Sequence, residues 1–229
     1  MQFLHGVLDH RRKLTHDVFE IDIALEKPLS FTLGQFITLR LPLQDKYILR
    51  SYSLASSPQH QNMLTLCVKR HEFGLGSRYL NSLSEGERLD FLGPFGDLFH
   101  YDDTRDAFHF FATGTGIAPF MPIFEMLLKT MKHISFFLYF GVRTQRDIFY
   151  QDILDLYQRN YDNFSYQIYL SQEDMNVYYS GRVTDALHNI DMNKKNEFFL
   201  CGVPQMISEV QQFLTLHSVD PQYVHIEKW

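Results

Sequence analysis

Apolar and polar residues largely alternate along several short stretches of the first hundred residues. The alternation is clearest at 18–23, 35–41 and 63–69. It is typical of half-buried β-strands, in which successive side chains point to opposite faces. Pairs of residues that favour turns lie outside these stretches, namely Lys27-Pro28, Leu33-Gly34, Ser57-Pro58, Glu85-Gly86 and Gly93-Pro94. Many short strands at this spacing predict a small antiparallel β-barrel.

The pattern changes after residue 104, where apolar stretches begin to alternate with helical ones. Strands are predicted at 107–112, 134–140, 164–170, 197–201 and 222–226. Helices are predicted near 117–132, 147–160, 182–190 and 204–217. Repeated strand–helix alternation predicts a doubly wound parallel sheet with helices on both faces. The polar run at 101–106 separates the two patterns, so we predict two domains, 1–101 and 102–229.

Composition and charge exclude some classes of function. A chain of 229 residues is long enough for two domains of roughly 100 to 130 residues each. The net charge of −6 argues against a nucleic-acid partner, which needs clustered Lys and Arg. The densest basic run is Arg11-Arg12-Lys13. We interpret this run as a solvated strand end, with a docking patch for an acidic protein as the alternative.

Targeting signals, cysteines and histidines narrow the setting further. The N-terminal residues lack the pattern of a secretory signal, and no apolar run approaches the roughly 20 residues that cross a bilayer. We therefore expect a cytoplasmic protein that does not enter a membrane. Cys67 and Cys201 are interpreted as reduced thiols, and two cysteines cannot supply the four thiolates of a plant-type [2Fe–2S] cluster. The 11 histidines show no metal-ligand spacing, so no metal is expected.

Arg50-Ser51-Tyr52-Ser53 is the first motif that indicates chemistry. On an extended chain Arg50 and Tyr52 project to the same side, and Ser53 projects to the other unless the strand bends. An arginine pairs well with phosphate and a tyrosine stacks on a flat ring, so the pair suits a flavin nucleotide. The alternative is an ordinary edge strand followed by a turn.

Two further glycine-rich segments suit phosphate groups. Residues 68–77 predict a strand, a glycine turn and a short helix that begins at Ser77, where helix N–H groups and a capping serine bind anions. The glycines of Gly114-Thr115-Gly116-Ile117-Ala118-Pro119 follow a predicted strand and open a predicted helix, as a dinucleotide-binding turn requires. Pro119 replaces the usual third glycine and fits the first turn of a helix.

Near the C-terminus, Cys201-Gly202-Val203-Pro204-Gln205-Met206 follows the predicted strand 197–201. Active groups of doubly wound sheets lie at such strand ends. Taken together with Gly93-Pro94-Phe95-Gly96, the ordered motifs resemble those of the ferredoxin–NADP reductase superfamily over nearly the whole chain. That resemblance implies an FAD-binding barrel followed by an NAD(P)-binding α/β domain.

The resemblance assigns a role to each residue of the flavin motifs. It implies that Arg50 binds the flavin pyrophosphate, Tyr52 contacts the isoalloxazine ring and the Ser53 hydroxyl contacts its N5 atom. It implies a second flavin-binding element formed by Val68, Lys69, Gly74, Gly76 and Ser77.

The resemblance also assigns residues to the nicotinamide dinucleotide. Its pyrophosphate is expected at Gly114, Thr115, Gly116 and Pro119, and its nicotinamide beside Cys201, Gly202 and Met206. Arg143 borders the nucleotide in this scheme, with a surface role as the alternative. Ser171 and Gln172 stand where NADP-specific relatives have Ser-Arg, and Glu173 and Asp174 add negative charge. This favours NADH slightly over NADPH, although Arg182 remains a possible 2′-phosphate ligand.

The last residues resemble the superfamily's C-terminal pattern. Trp229, the only tryptophan, corresponds to an aromatic residue that stacks on the flavin, and Glu227 to a carboxylate that helps to protonate N5. Ser53, Cys201, Glu227 and Trp229 are therefore the expected catalytic residues.

The sequence thus predicts a flavoenzyme that passes hydride from NADH or NADPH to FAD. Its electrons are expected to go to a separate ferredoxin, flavodoxin or oxygenase component, and the protein is expected to be a monomer. The alternatives are a reductase that uses free flavin as a substrate and a non-catalytic nucleotide-binding sensor or assembly subunit.

Overall fold

Two compact units form the chain in the computed structural model, which describes residues 3–43 and 46–228. The first unit runs to Asp97 and includes Ala118–Ile123, and the second contains Leu98–Ile117 and the residues from Phe124 onward. The domain boundary between residues 101 and 102 remains our prediction.

The first unit is one antiparallel sheet of six strands with one helix. The strands are β1 (Leu4–Lys13), β2 (Val18–Leu25), β3 (Phe36–Leu43), β4 (Lys46–Ser53), β5 (Met63–Lys69) and β6 (Arg88–Phe95), and helix α1 is Leu75–Ser82. Their order is β4-β3-β6-β1-β2-β5. The two edges approach each other at a bridge between Leu54 and Leu66. Within the described residues no continuous ladder joins β4 to β5, so the predicted barrel is confirmed as barrel-like but is not closed.

The core of this unit follows the predicted alternation. Ile21, Ile23, Leu39 and Leu66 are completely buried and pack in one cluster with the apolar face of α1. Gly93-Pro94 was predicted as a turn but lies inside β6, where pairing with β3 shifts register. A Cβ on Gly93 would lie 3.2 Å from the carbonyl oxygen of Phe36, so glycine permits this close approach.

The second unit is a parallel sheet of six strands flanked by helices. The strands are β7 (Ala107–Thr113), β8 (Ser135–Val142), β9 (Phe164–Leu170), β10 (Tyr179–Ser180), β11 (Asn196–Gly202) and β12 (Val224–Lys228). The α-helices are α2 (Met121–Leu127), α3 (Gln151–Asn160) and α4 (Pro204–Leu216). The strand order is β10-β9-β8-β7-β11-β12, which confirms the doubly wound prediction. The central strands β7 and β11 are buried along nearly their whole length, as a sheet covered on both faces requires.

Several predicted helices are shorter than expected or have 3₁₀ geometry. The predicted helix 117–132 is a 3₁₀ segment, Gly114–Phe120, followed by α2, and the predicted helix 182–190 is the 3₁₀ segment Val183–Asn189. Pro119 and Pro122 have no N–H to donate, which disfavours regular α-helix through the first of these segments. None of the helices among the described residues has the length and apolar character needed to cross a bilayer.

Candidate functional site

Strand β4 presents Arg50 and Tyr52 on one face and Ser53 on the other. Arg50 is exposed, Tyr52 is half-buried and Ser53 is only 2% exposed. A Cβ on Gly76 would lie 3.1 Å from Cγ of Arg50 and 3.6 Å from Oη of Tyr52. Arg50 and Tyr52 therefore share a side, as their spacing predicts, and meet the first turn of α1. Ser53 is buried on the opposite face, whereas Tyr52 packs against the hydrophobic core cluster of this unit.

The charge states of this pair follow from their surroundings. Burial raises the pKa of Tyr52 to about 12, and the positive charge of Arg50 offsets part of that increase. Tyr52 is therefore a neutral phenol at physiological pH. The Arg50 guanidinium donates one hydrogen bond to the carbonyl oxygen of Leu49 at 2.8 Å. The group is exposed and has further donors for an anion.

Helix α1 begins two residues earlier than the sequence predicts. Its N-cap is Gly74, and the helix starts at Leu75, so the prediction that Ser77 caps the helix is wrong. The buried Ser77 hydroxyl accepts from the backbone N–H of His71 at 3.1 Å and donates to the carbonyl of Gly74 at 3.2 Å. Its hydroxyl therefore holds the preceding loop, while the first-turn N–H groups lack intrahelical acceptors.

Strand β5, which precedes α1, offers fewer side chains to a ligand than the sequence predicts. Val68 is 1% exposed and its backbone is paired with Phe19, so its side chain belongs to the core. Lys69 forms an ion pair with Asp17 at 3.6 Å. The proposed contribution of Val68 to a ligand is therefore limited to its backbone.

In the second unit, two glycine turns interlock at the ends of β7 and β11. A Cβ on Gly116 would lie 2.2 Å from the carbonyl oxygen of Cys201, and one on Gly202 would lie 2.1 Å from Oγ1 of Thr113. Oγ1 of Thr113 also accepts from the backbone N–H of Val203 at 2.8 Å. Side chains other than hydrogen at the two glycines would force these turns apart.

Gly114 is different from Gly116, because it borders open space. Its φ is +54°, and a Cβ there would meet no heavy atom within 4 Å. Thr115 is half-buried, whereas Pro119 is buried within the same 3₁₀ segment. The turn therefore offers backbone to an approaching ligand at its first residues, and its later residues fix it in the fold.

A cleft of about 300 Å³ lies at the carboxyl ends of the parallel strands. It is lined by Thr113, Gly141, Val142, Tyr169, Ser171, Gln172, Gly181, Arg182, Val183, Thr184, Val203, Gln205, Met206 and Glu209. The strand order changes direction between β7 and β11, and ligands of open α/β sheets bind at such a switch point. The cleft brings together Ser171, Gln172 and Met206, three of the residues selected from the sequence.

Arg143 and Asp147 lie beside the end of β8 and form an ion pair of 3.0 Å. Burial by itself would raise the pKa of Asp147, but hydrogen bonds from Thr144 and Arg143 outweigh it and lower the pKa. Asp147 also accepts from the backbone N–H of Thr144 at 3.0 Å, so it stabilises the turn after β8. The side chain of Arg143 is 45% exposed.

Cys201 and Glu227 are register partners on the neighbouring parallel strands β11 and β12. Cys201 is completely buried and Glu227 is half-buried. The sheet thus brings together two of the expected catalytic residues. Trp229, the fourth, lies outside the described residues.

These features fit two diphosphate nucleotides. In the first unit an exposed arginine, a neutral tyrosine and a helix N-terminus converge where Gly76 leaves room, which suits the diphosphate and flat ring of FAD. In the second unit the open turn at Gly114 and the cleft at the switch point suit a nicotinamide dinucleotide.

Comparison with known proteins agrees with this assignment. Residues 5–101 match the family described as oxidoreductase FAD-binding domain, and residues 110–212 match the oxidoreductase NAD-binding domain. Ferredoxin–NADP reductase B of Sorangium cellulosum is 32% identical over 213 residues, which cover 89% of this chain and 87% of that protein. The chain belongs to the ferredoxin–NADP reductase superfamily. It is therefore an FAD- and NAD(P)-dependent oxidoreductase.

Other members of the superfamily that resemble this chain serve different acceptors. The toluate 1,2-dioxygenase electron transfer component of Pseudomonas putida is 28% identical over 98% of this chain and 67% of its own length. The crystal structure of the Amycolatopsis cytochrome P450 reductase superposes with a TM-score of 0.89 at 26% identity, covering 99% of this chain and 69% of that one. These two relatives are longer than the present chain.

The superfamily motifs did not indicate every residue of the nucleotide cleft. Thr113, Thr184 and Glu209 line it without having been selected from the sequence, and Gln205 was quoted within a motif but given no role. Gln205 and Glu209 are one helical turn apart on α4, directly after the cysteine-glycine motif, so that spacing was a usable signal. Thr113 immediately precedes the glycine turn, where its hydroxyl fixes Val203.

Proposed function

We propose that this reductase-superfamily chain takes hydride from NAD(P)H onto FAD and delivers the electrons to a separate acceptor. The observation that carries the proposal is that one chain matches an FAD-binding module and then an NAD-binding module. When bound, FAD supplies the redox chemistry, accepting a hydride and releasing electrons singly or in pairs. The residues of the chain supply binding, orientation and exclusion of water.

On the flavin side, we propose that Arg50 and the first turn of α1 hold the pyrophosphate. The stem of Arg50 passes Gly76 in the first turn of α1, with its Cγ 3.1 Å from where a Cβ of Gly76 would lie, and no side chain caps this turn. Tyr52, a neutral phenol whose pKa burial raises further to about 12, offers a flat surface and a hydroxyl donor to the isoalloxazine. Gly74, Ser77 and Lys69 shape the loop beside it, and Ser53 is proposed to act at the flavin N5.

On the dinucleotide side, we propose that the turn at Gly114, Thr115 and Gly116 holds the pyrophosphate. Pro119 lies late in the same 3₁₀ segment, just before α2, and not in the first turn of a helix as the sequence predicted. Ser171, Gln172 and Arg143 lie towards the adenosine end, at the carboxyl ends of β8 and β9.

At the nicotinamide end, we propose Cys201, Gly202, Met206 and Glu227, with Trp229 as a stacking residue. Cys201 is buried, so its proposed effect is on alignment of the nicotinamide rather than on nucleophilic chemistry.

The acceptor is proposed to be a small electron-carrier protein, such as a ferredoxin or flavodoxin, or the oxygenase component of a multicomponent system. The relatives described above are a ferredoxin reductase, a dioxygenase electron transfer component and a cytochrome P450 reductase. A monomer is the proposed oligomeric state. NADH is the proposed dinucleotide, because Gln172 and Glu173 place no positive charge at the end of β9.

The proposal is tested by purifying the chain, measuring its flavin content and following flavin reduction by NADH and by NADPH in a stopped-flow instrument. We expect close to one FAD per chain and rapid bleaching of the flavin absorbance by NADH. Oxidation of NADH only when excess free flavin is supplied would instead identify a flavin reductase. A protein that keeps FAD but is reduced by neither nucleotide would be the non-catalytic subunit.

A further inference from the structure

Glu209 on α4 receives three hydrogen bonds inside the nucleotide cleft. Its Oε1 accepts from Nη1 of Arg182 at 2.8 Å and from Nε2 of Gln205 at 2.9 Å, and its Oε2 accepts from the Thr184 hydroxyl at 3.0 Å. These donors come from α4 itself and from the segment after β10. One carboxylate therefore fixes the arginine at the wall of the cleft.

Arg182 and Glu209 form an ion pair, and their opposite charges cancel within the cleft. Of the described residues that line it, Arg182 and Glu209 are the two that carry a formal charge. NADPH differs from NADH by a 2′-phosphate with a charge close to −2, which needs a cation with donors directed towards it. Arg182 is such a cation, but Glu209 holds its Nη1 and adds a negative charge beside it.

We propose that Glu209 is a specificity-determining residue, which holds Arg182 away from the 2′-phosphate of NADPH and thereby favours NADH. This inference rests on the proposed function, since it assumes that a nicotinamide dinucleotide enters the cleft. Gln172 and the exposed Glu173 lie at the end of β9, and Glu173 accepts from the backbone N–H of Gln145 at 2.7 Å. The negative charge of Glu173 acts in the same direction as that of Glu209.

A purely structural role for Glu209 makes a different prediction. If the carboxylate only joined α4 to the segment around Arg182, its loss would weaken both dinucleotides to the same degree. Repulsion by Glu209 and its hold on Arg182 weigh more on the ligand with the extra phosphate, which carries about two more negative charges. The ratio of the two affinities therefore separates the two roles.

The experiment measures binding of 5′-AMP and of 2′,5′-ADP to the purified chain by isothermal titration calorimetry. These ligands differ only by the 2′-phosphate and require no hydride transfer. Glu209→Gln, which keeps the shape of the side chain and removes its charge, is compared with the unmodified protein. Glu125→Gln is the matched control. Glu125 is exposed on α2, so this substitution removes the same charge outside the cleft.

We expect Glu209→Gln to raise the preference for 2′,5′-ADP by about tenfold, the scale of one charge-assisted hydrogen bond, while Glu125→Gln leaves it unchanged. The gain should disappear in the Arg182→Gln/Glu209→Gln double variant and should shrink as ionic strength rises. The ratio of kcat/KM for NADPH and NADH should move in the same direction.

Three outcomes would overturn the inference. If the ratio of the two ligand affinities were unchanged in folded Glu209→Gln and Glu209→Ala proteins, the carboxylate would have only a structural role. A gain that persists without Arg182 would show that the arginine is not the group released. If neither ligand bound the unmodified chain, both the assignment of the cleft to a dinucleotide and the inference about Glu209 would be wrong. If both ligands bound and the variant left the ratio of their affinities unchanged, only the inference about Glu209 would be wrong.

Discussion

The Cβ that Gly116 lacks would lie 2.2 Å from the carbonyl oxygen of Cys201. Real Cβ atoms do not approach a backbone oxygen so closely, so the turn after β7 and the end of β11 pack together only with glycine at position 116. The two motifs selected from the sequence for chemistry are thus also in structural contact. A substitution that moves the backbone of one turn must therefore also move the backbone of the other.

Gly116→Ala should therefore lower the free energy of unfolding by about 3 kcal/mol, because the backbone has to move to admit the methyl group. Urea denaturation measures this directly. Gly86→Ala is the control for backbone strain alone, since Gly86 has φ +86° and open space around it. The control should cost about 1–2 kcal/mol. Equal losses of unfolding free energy in the two variants would show that Gly116 is not needed for the close contact between the two turns.

Arg50→Ala should weaken retention of FAD by roughly tenfold to a hundredfold, because it removes a charge-assisted pair to phosphate worth about 1.5–3 kcal/mol. The measurement is flavin absorbance per chain after gel filtration at micromolar concentration. Arg88→Ala is a suitable control, because Arg88 is an exposed arginine on β6 that pairs with Asp90 at 2.9 Å. Full retention of FAD by Arg50→Ala would show that the guanidinium does not bind the cofactor.

His109 should make the stability of the protein depend on pH. Burial lowers the pKa of His109 to about 4, while a hydrogen bond with Asn196 opposes the shift. The ring also lies 3.2 Å from both Oη of Tyr139 and Oδ1 of Asn196. The folded protein keeps the ring neutral, whereas the unfolded chain takes up a proton below about pH 6.5.

The sign of the effect follows from that difference. Above about pH 6.5 neither state is protonated and His109 imposes no penalty. As pH falls from 6.5 towards 4, the unfolded state binds the proton and stability decreases by up to ~1.4 kcal/mol per pH unit. Urea denaturation between pH 4.5 and 8 should show a shallower decline for His109→Gln than for the unmodified protein. If the free energy of unfolding declined equally with pH in both proteins, His109 would not be the source of the pH dependence.

Much of the architecture was predictable because many strands either alternate apolar and polar residues, as β5 does, or are apolar along most of their length, as β7 and β11 are. The predicted strands 63–69 and 164–170 coincide with β5 and β9. Strand β1 was predicted only at its end, through the interpretation of Arg11-Arg12-Lys13 as a solvated strand end, because its second half, from Asp9 to Lys13, is entirely exposed and charged or polar. Strand β4 was recognised only through its Arg-Ser-Tyr-Ser motif, since most of its residues are exposed at the sheet edge.

The candidate site was predicted less completely than the fold. Turn motifs carry their own local signal, so the glycine segments were found. The group around Glu209 was not, because its partners Arg182 and Thr184 are 27 and 25 residues away and meet it only through the tertiary fold. The prediction that Ser77 caps α1 failed because Gly74 provides the cap and the serine bonds back to the loop instead.

Cys201→Ala should leave FAD bound and slow its reduction by NADH about tenfold to a hundredfold, since small errors of alignment carry costs of that size. The residue ends β11 beside Gly116 and pairs in register with Glu227, so its removal disturbs the place where both turns meet.

Stopped-flow bleaching of the flavin at saturating NADH separates this effect from weaker nucleotide binding. Cys67→Ala is the matched control, because it removes the other buried thiol, which lies on β5 in the first unit. The control should reduce its flavin at the unmodified rate. If Cys201→Ala did the same, with FAD content and thermal stability intact, Cys201 would be a buried core residue and the alignment role should be abandoned.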